Sequence, residues 1–240
     1  MKYLYTLLFI GYFCSVTKAA EQTLTIVTEH WPPYIVQSSE TTPEISGIVT
    51  DKIHTIFNNS AINYNITVYP WARSYYLAKN QPNTLIYSIF KTDQRSPHFK
   101  WFCPINPKTP VNIYKLKENK TDINQLITMK NSIIGVLRDD NSHNFMLKNG
   151  FIEGQNLLVS ASEESNIKKL LNGKIDAVIQ SRDALIYRIK DSKLKIDDFD
   201  IGFQLHKDSN TEHCMALSLN SDPKLVSAVE QAFSLWKKHN

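Results

Sequence analysis

Arg95 is the residue with the clearest chemical use in this sequence. It ends Lys91-Thr92-Asp93-Gln94-Arg95, a polar loop after the apolar run Thr84–Ile89. A guanidinium at the end of a strand can grip a carboxylate through two parallel N–H donors; the alternative is a surface arginine paired with Asp93. Trp31-Pro32-Pro33-Tyr34 makes an aromatic loop, stiffened by proline, after the first strand, where α/β proteins place ligands. Read the other way, that loop is an apolar plug closing one end of a sheet. Pro70-Trp71-Ala72-Arg73 opens a helix, so Trp71 and Arg73 stand in its first turn, facing either a ligand or the core. Ser142 follows Asp139-Asp140-Asn141 at a helix start, whose free backbone N–H groups suit an anion. Simple N-capping accounts for Ser142 equally well.

Motifs for catalysis are missing. The sequence has no G-x-S-x-G elbow, P-loop, G-x-G-x-x-G or H-E-x-x-H. Its seven histidines are scattered, with no pair at metal-ligand spacing on one helix. His213-Cys214 offers a base and a thiol, but adjacent strand residues point to opposite faces, so a structural cysteine is expected. No catalytic residue, metal or cofactor is expected.

The elements that must hold these residues alternate. Leu24–Thr28 reads as a strand, the stripe Ile48, Ile53, Ile56, Phe57 as a helix, and 65–69 as a strand ended by Pro70. Residues 71–79 read as a helix and Thr84–Ile89 as a strand. This β-α-β-α-β order predicts a mostly parallel sheet with helices on its faces. After a loop rich in Pro and Lys (104–119) come a short helix at 122–129, a strand at 133–137 and a helix at 142–148. A strand at 157–160, a helix at 163–171, a strand at 175–179 and a helix at 181–189 complete a second α/β unit. A strand at 214–219 precedes a last helix, with Asp222 as N-cap and Pro223 at its first position. Leu225, Val229, Ala232, Phe233 and Trp236 form its core stripe. Two α/β units joined by a Pro-rich crossing predict two lobes with a cleft between them.

Composition bounds the class and the first residues set the compartment. The 240 residues are 42% hydrophobic and 21% charged, proportions that exclude a disordered tail or a disulfide mini-scaffold. Lys2, an apolar run from Tyr3 to Val16 and small residues at Thr17 and Ala19 make a secretory signal peptide over 1–19. The run is too short to span a bilayer comfortably, and no second one follows, so no membrane insertion is expected. Removing it takes two lysines and no acid, and the formal charge falls from +4 to about +2. That slight, dispersed excess gives no reason to expect nucleic acid. Cys103 and Cys214 remain, in a compartment that favours disulfides.

The order of the pieces carries a family resemblance. Thr28-Glu29, Trp31-Pro32-Pro33-Tyr34, Gly47 with Asp51, Pro70-Trp71-Ala72-Arg73, Thr92-Asp93-Gln94-Arg95, Phe99 and Pro104 occur in sequence, with Asn172-Gly173-Lys174-Ile175-Asp176-Ala177-Val178 later. Over essentially the whole mature chain this resembles the bacterial extracellular solute-binding proteins of family 3, amino-acid-type periplasmic receptors of ABC importers, in a W-P-P-Y / P-W-x-R subgroup. The resemblance implies an α/β, two-lobed type II periplasmic-binding-protein fold with two hinge strands. Lobe 1 is expected at 20–104 plus 215–240 and lobe 2 at 105–214. It further implies a periplasmic monomer that closes on a small-molecule ligand and presents it to an ABC permease or a membrane sensor. Arg95 would hold a ligand carboxylate, Tyr34 would pack on the ligand, and Glu29 lies where an acid can meet an ammonium group. Trp31, Trp71, Arg73, Ser88, Phe90, Thr92, Ser142 and Ser181 complete the expected ligand-binding set. Since the hinge strands run side by side, Cys103 and Cys214 either form a disulfide or pack as two buried thiols.

Three residues depart from the family pattern. Phe90 replaces a small hydroxyl residue, Ser181 an aspartate that meets the ligand's ammonium, and Asn141 a glycine before Ser142. The ligand is therefore expected to be polar and carboxylate-bearing rather than necessarily a standard α-amino acid. The alternative is a periplasmic enzyme on the same scaffold, similar to dehydratases of cyclic carboxylic acids (cyclohexadienyl-dehydratase-like). Glu29 or His30 would then be its acid or base.

Overall fold

The computed structural model describes residues 23–38, 44–207 and 212–239. The expected signal peptide, 1–19, lies outside them. The described chain runs β1 (Leu24–Thr28), β2 (Val36–Gln37), β3 (Ile45–Ser46), α1 (Ile48–Asn58), β4 (Tyr64–Val68), α2 (Trp71–Asn80), β5 (Thr84–Ile89) and β6 (Phe99–Asn106). It continues through β7 (Val111–Leu116), β8 (Ile134–Leu137), α3 (Asn141–Lys148), β9 (Leu157–Ser160), α4 (Glu163–Leu171), β10 (Ala177–Ser181) and α5 (Arg182–Ile189). Then follow β11 (Phe199–Leu205), β12 (His213–Ser218) and α6 (Pro223–His239).

Two five-stranded sheets make two lobes, ordered β4-β1-β5-β12-β6 and β11-β7-β10-β8-β9. The chain passes from the first sheet to the second between Asn106 and Val111, and back between Leu205 and His213. The sheets are mixed rather than mostly parallel. β4, β1 and β5 run parallel, as do β10, β8 and β9, but β12 and β6 are antiparallel to their neighbours, as are β7 and β11. The antiparallel strands are those flanking the two crossings between lobes: β6 and β7 at the first, β11 and β12 at the second.

Side-chain alternation places the helices. Leu24 and Ile26 of β1 face α1 and α6, packing with Ile53, Ile56, Phe57, Leu225, Val229 and Phe233. Val27, on the other face, packs with Trp71 and Ala78 of α2, Ile86 and Ala216. Each such buried aliphatic side chain contributes roughly 1.5–3 kcal/mol. The second sheet is covered likewise, by Met146 of α3 on one face and by Ile167, Leu170 and Leu185 of α4 and α5 on the other.

Two expectations are corrected. The stretch 104–119 is not a loop: β6 continues to Asn106 and β7 occupies Val111–Leu116. Pro104, which lacks an N–H, is accommodated because β6 is an edge strand. Residues 122–129 are not a helix; the chain turns there and forms only a 3₁₀ turn at Thr128–Asn131. Asp122 Oδ1 accepts from Asn124 N (3.0 Å) and Asn124 Nδ2 (2.8 Å), local bonds that compete with helix formation. Cys103 and Cys214 form a disulfide joining β6 to β12, with Cα atoms 4.6 Å apart. Cys214 is therefore no thiol nucleophile.

Candidate functional site

The two lobes meet through specific bonds around a cleft. Trp71 Nε1 donates to Asp139 O at 2.9 Å, Tyr34 Oη donates to Asp183 Oδ2 at 3.3 Å, and Arg188 Nη2 donates to His30 O at 3.4 Å. Between them lies a cavity of about 60 Å³. From the first lobe Glu29, Trp31, Trp71, Ser88, Phe90 and Arg95 line it, and from the second Asp140, Ser142, Glu163, Gln180 and Ser181.

Arg95 is held by the turn that carries it. Its N–H donates to Thr92 O (3.0 Å), and Thr92 Oγ1 stands 3.3 Å from the same nitrogen. The side chain is 4% exposed, with its guanidinium 4.9 Å from the Trp71 ring and 5.4 Å from the Tyr75 ring. Nη1 donates to Phe90 O at 3.4 Å, whereas Nη2, fully buried, has no hydrogen-bond partner. Rings and a carbonyl touch it and the charges of Asp140 and Glu29 act on it, but it makes no ion pair with Asp93. An unpaired buried N–H of a charged group costs several kcal/mol and is well matched to an incoming anion.

Ser88 is placed by a β-bulge. Cys214 pairs with Ile89 and Met215 with Tyr87, so Ser88 is the extra residue of β5. Its φ is +62°, a left-handed conformation costly for serine. Ser88 Oγ lies 2.6 Å from His213 Nδ1, and Thr109 Oγ1 2.7 Å from His213 Nε2. His213 is wholly buried and stacked on Trp31 with ring centroids 5.0 Å apart. Burial pushes its pKa down to about 3, so it is a neutral relay between two hydroxyls and a weak base.

The charge in the cavity is mainly acidic. Burial pushes Asp140 up to about 6 and Glu163 up to about 8, against partial relief from Arg95 and Arg188 respectively. Glu29 is likewise raised well above the usual carboxyl range by burial and then by the charge of Asp140. Asp140 caps α3, its Oδ1 accepting from His143 N at 2.6 Å. Glu163 Oε2 accepts from Gln180 Nε2 (2.6 Å) and Asn166 Nδ2 (3.1 Å). Among the described residues no three His, Cys, Asp or Glu side chains are grouped to hold a metal ion.

Eight of the eleven expected binding residues line this cavity: Glu29, Trp31, Trp71, Ser88, Phe90, Arg95, Ser142 and Ser181. Three do not. Tyr34 packs against Trp31 and His213 and spends its hydroxyl on Asp183. The Arg73 guanidinium lies 4.2 Å over the Tyr69 ring, and Thr92 builds the turn under Arg95. Asp140, Glu163 and Gln180 were missed as site residues. In the sequence Asp140 only precedes the expected helix at 142–148, Glu163 opens the one at 163–171, and Gln180 falls between the strand 175–179 and the helix 181–189. The signal available was their common position at the carboxyl ends of second-lobe strands.

No protein-family model and no curated protein matches the chain. Solved structures do. An ancestral arginine-binding protein bound to arginine superposes with a TM-score of 0.74 at 17% identity, over 90% of this chain and 92% of that one. A histidine kinase sensor domain with similarity to periplasmic binding proteins gives 0.75 at 14% identity, over 91% and 92%. An amino acid ABC transporter substrate-binding protein from Streptococcus pneumoniae, bound to L-arginine, gives 0.71 at 18%, over 90% and 89%. At these identities the likeness establishes architecture: the chain has the two-lobed, type II periplasmic-binding-protein fold.

Proposed function

We propose that this chain is an exported solute-binding protein that captures a small carboxylate-bearing ligand between its lobes. The signal at 1–19 directs it to the periplasm, where it works as a monomer. Lobe 1 (20–104 with 215–240) and lobe 2 (105–214) close about the two crossings, and an ABC permease or a membrane sensor reads the closed form. The observation that carries this reading is Arg95, buried, lining an interlobe cavity and holding an unpaired Nη2. Closure draws on contacts from both lobes, so each must contribute to binding.

Thermal unfolding in the presence of amino acids, dicarboxylates, peptides and polyamines tests it. A carboxylate at 100 times its Kd adds about 2.7 kcal/mol of stability to the wild type. The same compound gives no stabilisation of Arg95→Ala; equal stabilisation of both proteins refutes the carboxylate assignment.

The raised carboxyls favour one second reading, an enzyme on this scaffold. Glu163, pushed up to about 8, keeps a proton that it could deliver to a substrate at neutral pH. Proton NMR of a stabilising compound after prolonged incubation separates the two: new resonances support turnover, an unchanged spectrum supports binding alone.

A further inference from the structure

Two chambers adjoin the ligand cavity, and they differ in charge. One, of about 730 Å³, opens past Glu29 and Glu163 and is lined by no lysine or arginine. The other, of about 660 Å³, lies between Lys91, Asp93 and Gln94 of the turn after β5 and Asn141 and Lys148 of α3, with His206 from the second crossing. Its basic groups outnumber its acid, Asp93. Asn141 is shared with the ligand cavity, but Arg95 does not line this second chamber.

The fold does not use these cations. The Lys91 and Lys148 side chains are exposed and form no ion pair or hydrogen bond with any described residue. Lys148 is not needed to cap α3: Asn149 N donates to Phe145 O and Met146 O, Gly150 N to Leu147 O, and Asn149 Nδ2 to Phe145 O at 2.8 Å. The turn after Lys91 closes on Thr92 O, which accepts from Arg95 N (3.0 Å) and Ser96 N (2.7 Å). His206 is fixed at φ +51° with its ring 4.7 Å from that of Phe145 on α3, and it forms no ion pair with a described acid. Its Nε2 is buried without a hydrogen-bond partner.

We infer that this chamber is a second binding site, for a small oxyanion of two or more negative charges such as phosphate or a polycarboxylate, held between Lys91 of the first lobe and Lys148 of the second. Lobe closure, as proposed above, brings these two ammonium groups to one space, and their repulsion opposes it. An anion between them turns that repulsion into attraction, with each lysine acting as a point charge on an oxygen. The site is independent of Arg95 and of the ligand carboxylate. Because an anion bridging the lobes favours the closed form, as the cleft ligand does, each strengthens the other's binding by the same factor.

Equilibrium dialysis of the mature chain against radiolabelled phosphate and citrate at pH 7 tests this, at low ionic strength because chloride screens exposed lysines. One anion is expected per chain. Lys91→Gln and Lys148→Gln should each weaken it at least about fivefold, a difference of about 1 kcal/mol. Arg95→Ala, and a double variant Lys174→Gln with Lys193→Gln that removes exposed charge elsewhere, should each change it less than about twofold. Binding of phosphate alone or of citrate alone supports the site and sets the size of its anion. No binding of either probe at about 10 mM overturns the inference. So does weakening by only one of the two single lysine variants, which removes the bridge, or equal weakening in the double variant, which leaves only diffuse charge. Loss of binding in Arg95→Ala places the anion in the ligand cavity, overturning this inference while leaving the carboxylate reading standing.

Discussion

Raising the pH from 5 to 8 destabilises the ligand-free protein, and Glu163→Gln removes much of that loss. A glutamate that titrates near its ordinary 4.5 in the unfolded chain titrates at about 8 in the fold. Through that window the native state binds a proton that the unfolded state has released. Stability therefore falls as pH rises, opposite to the behaviour of a salt-bridged carboxylate. One whole extra proton costs about 1.4 kcal/mol for each pH unit, so three units cost about 4 kcal/mol. If Glu163, Asp140 and Glu29 share protons so that half of one is retained on average, the loss is about 2 kcal/mol. Asp140, raised to about 6, adds its share at the acidic end. Urea unfolding at pH 5, 6, 7 and 8, followed by tryptophan fluorescence, measures the slope. The wild type should lose 2–4 kcal/mol, as an order of magnitude, and Glu163→Gln distinctly less. A wild-type midpoint that rises with pH, or the same slope in the variant, refutes the reasoning.

The remaining predictions concern the cleft walls and the cross-link. Trp71→Phe keeps a ring under Arg95 but removes the N–H donated to Asp139; losing about 1 kcal/mol of interlobe contact should weaken ligand binding about fivefold, measured by titration, with little change in unfolding. Replacing Cys103 and Cys214 by serine together opens a cross-link that spans 111 residues of sequence. The expected loss is about 3–5 kcal/mol in urea unfolding, and a loss below about 1 kcal/mol contradicts it. His213→Phe retains a flat ring on Trp31 and strands the Ser88 and Thr109 hydroxyls. It should cost about 1–3 kcal/mol, and unchanged stability would show that the relay carries no weight.

Much of this architecture was legible because local chemistry and tertiary structure agree. Leu24–Thr28 and Thr84–Ile89 are β-rich runs bounded by polar residues, and both are strands at those bounds. Asp222 and Pro223 start α6 as their capping chemistry demands, with Asp222 Oδ1 accepting from Lys224 N at 2.8 Å. What failed depends on neighbours. Pro104 argues for a loop until one knows that β6 is an edge strand, whereas β11 was passed over although Phe199, Ile201, Phe203 and Leu205 alternate with Asp200, Gly202 and Gln204 as a strand signal. In the cleft, Arg95 announced itself by residue type and position. Glu163 did not, because an acid in a first helical turn is ordinary on a surface. Only the folding of α4 against β10 and α5 turns it into a half-buried proton-holding group.

The cap of α5 has an evolutionary consequence. Ser181 starts that helix with its hydroxyl while also lining the ligand cavity, and aspartate caps a helix about as well as serine does. A single replacement there would keep the cap and add a carboxylate at a position only 2% exposed. Descendants of this chain would change the charge of the molecule they capture through this one position, at the cost of burying that carboxylate until a cationic ligand meets it.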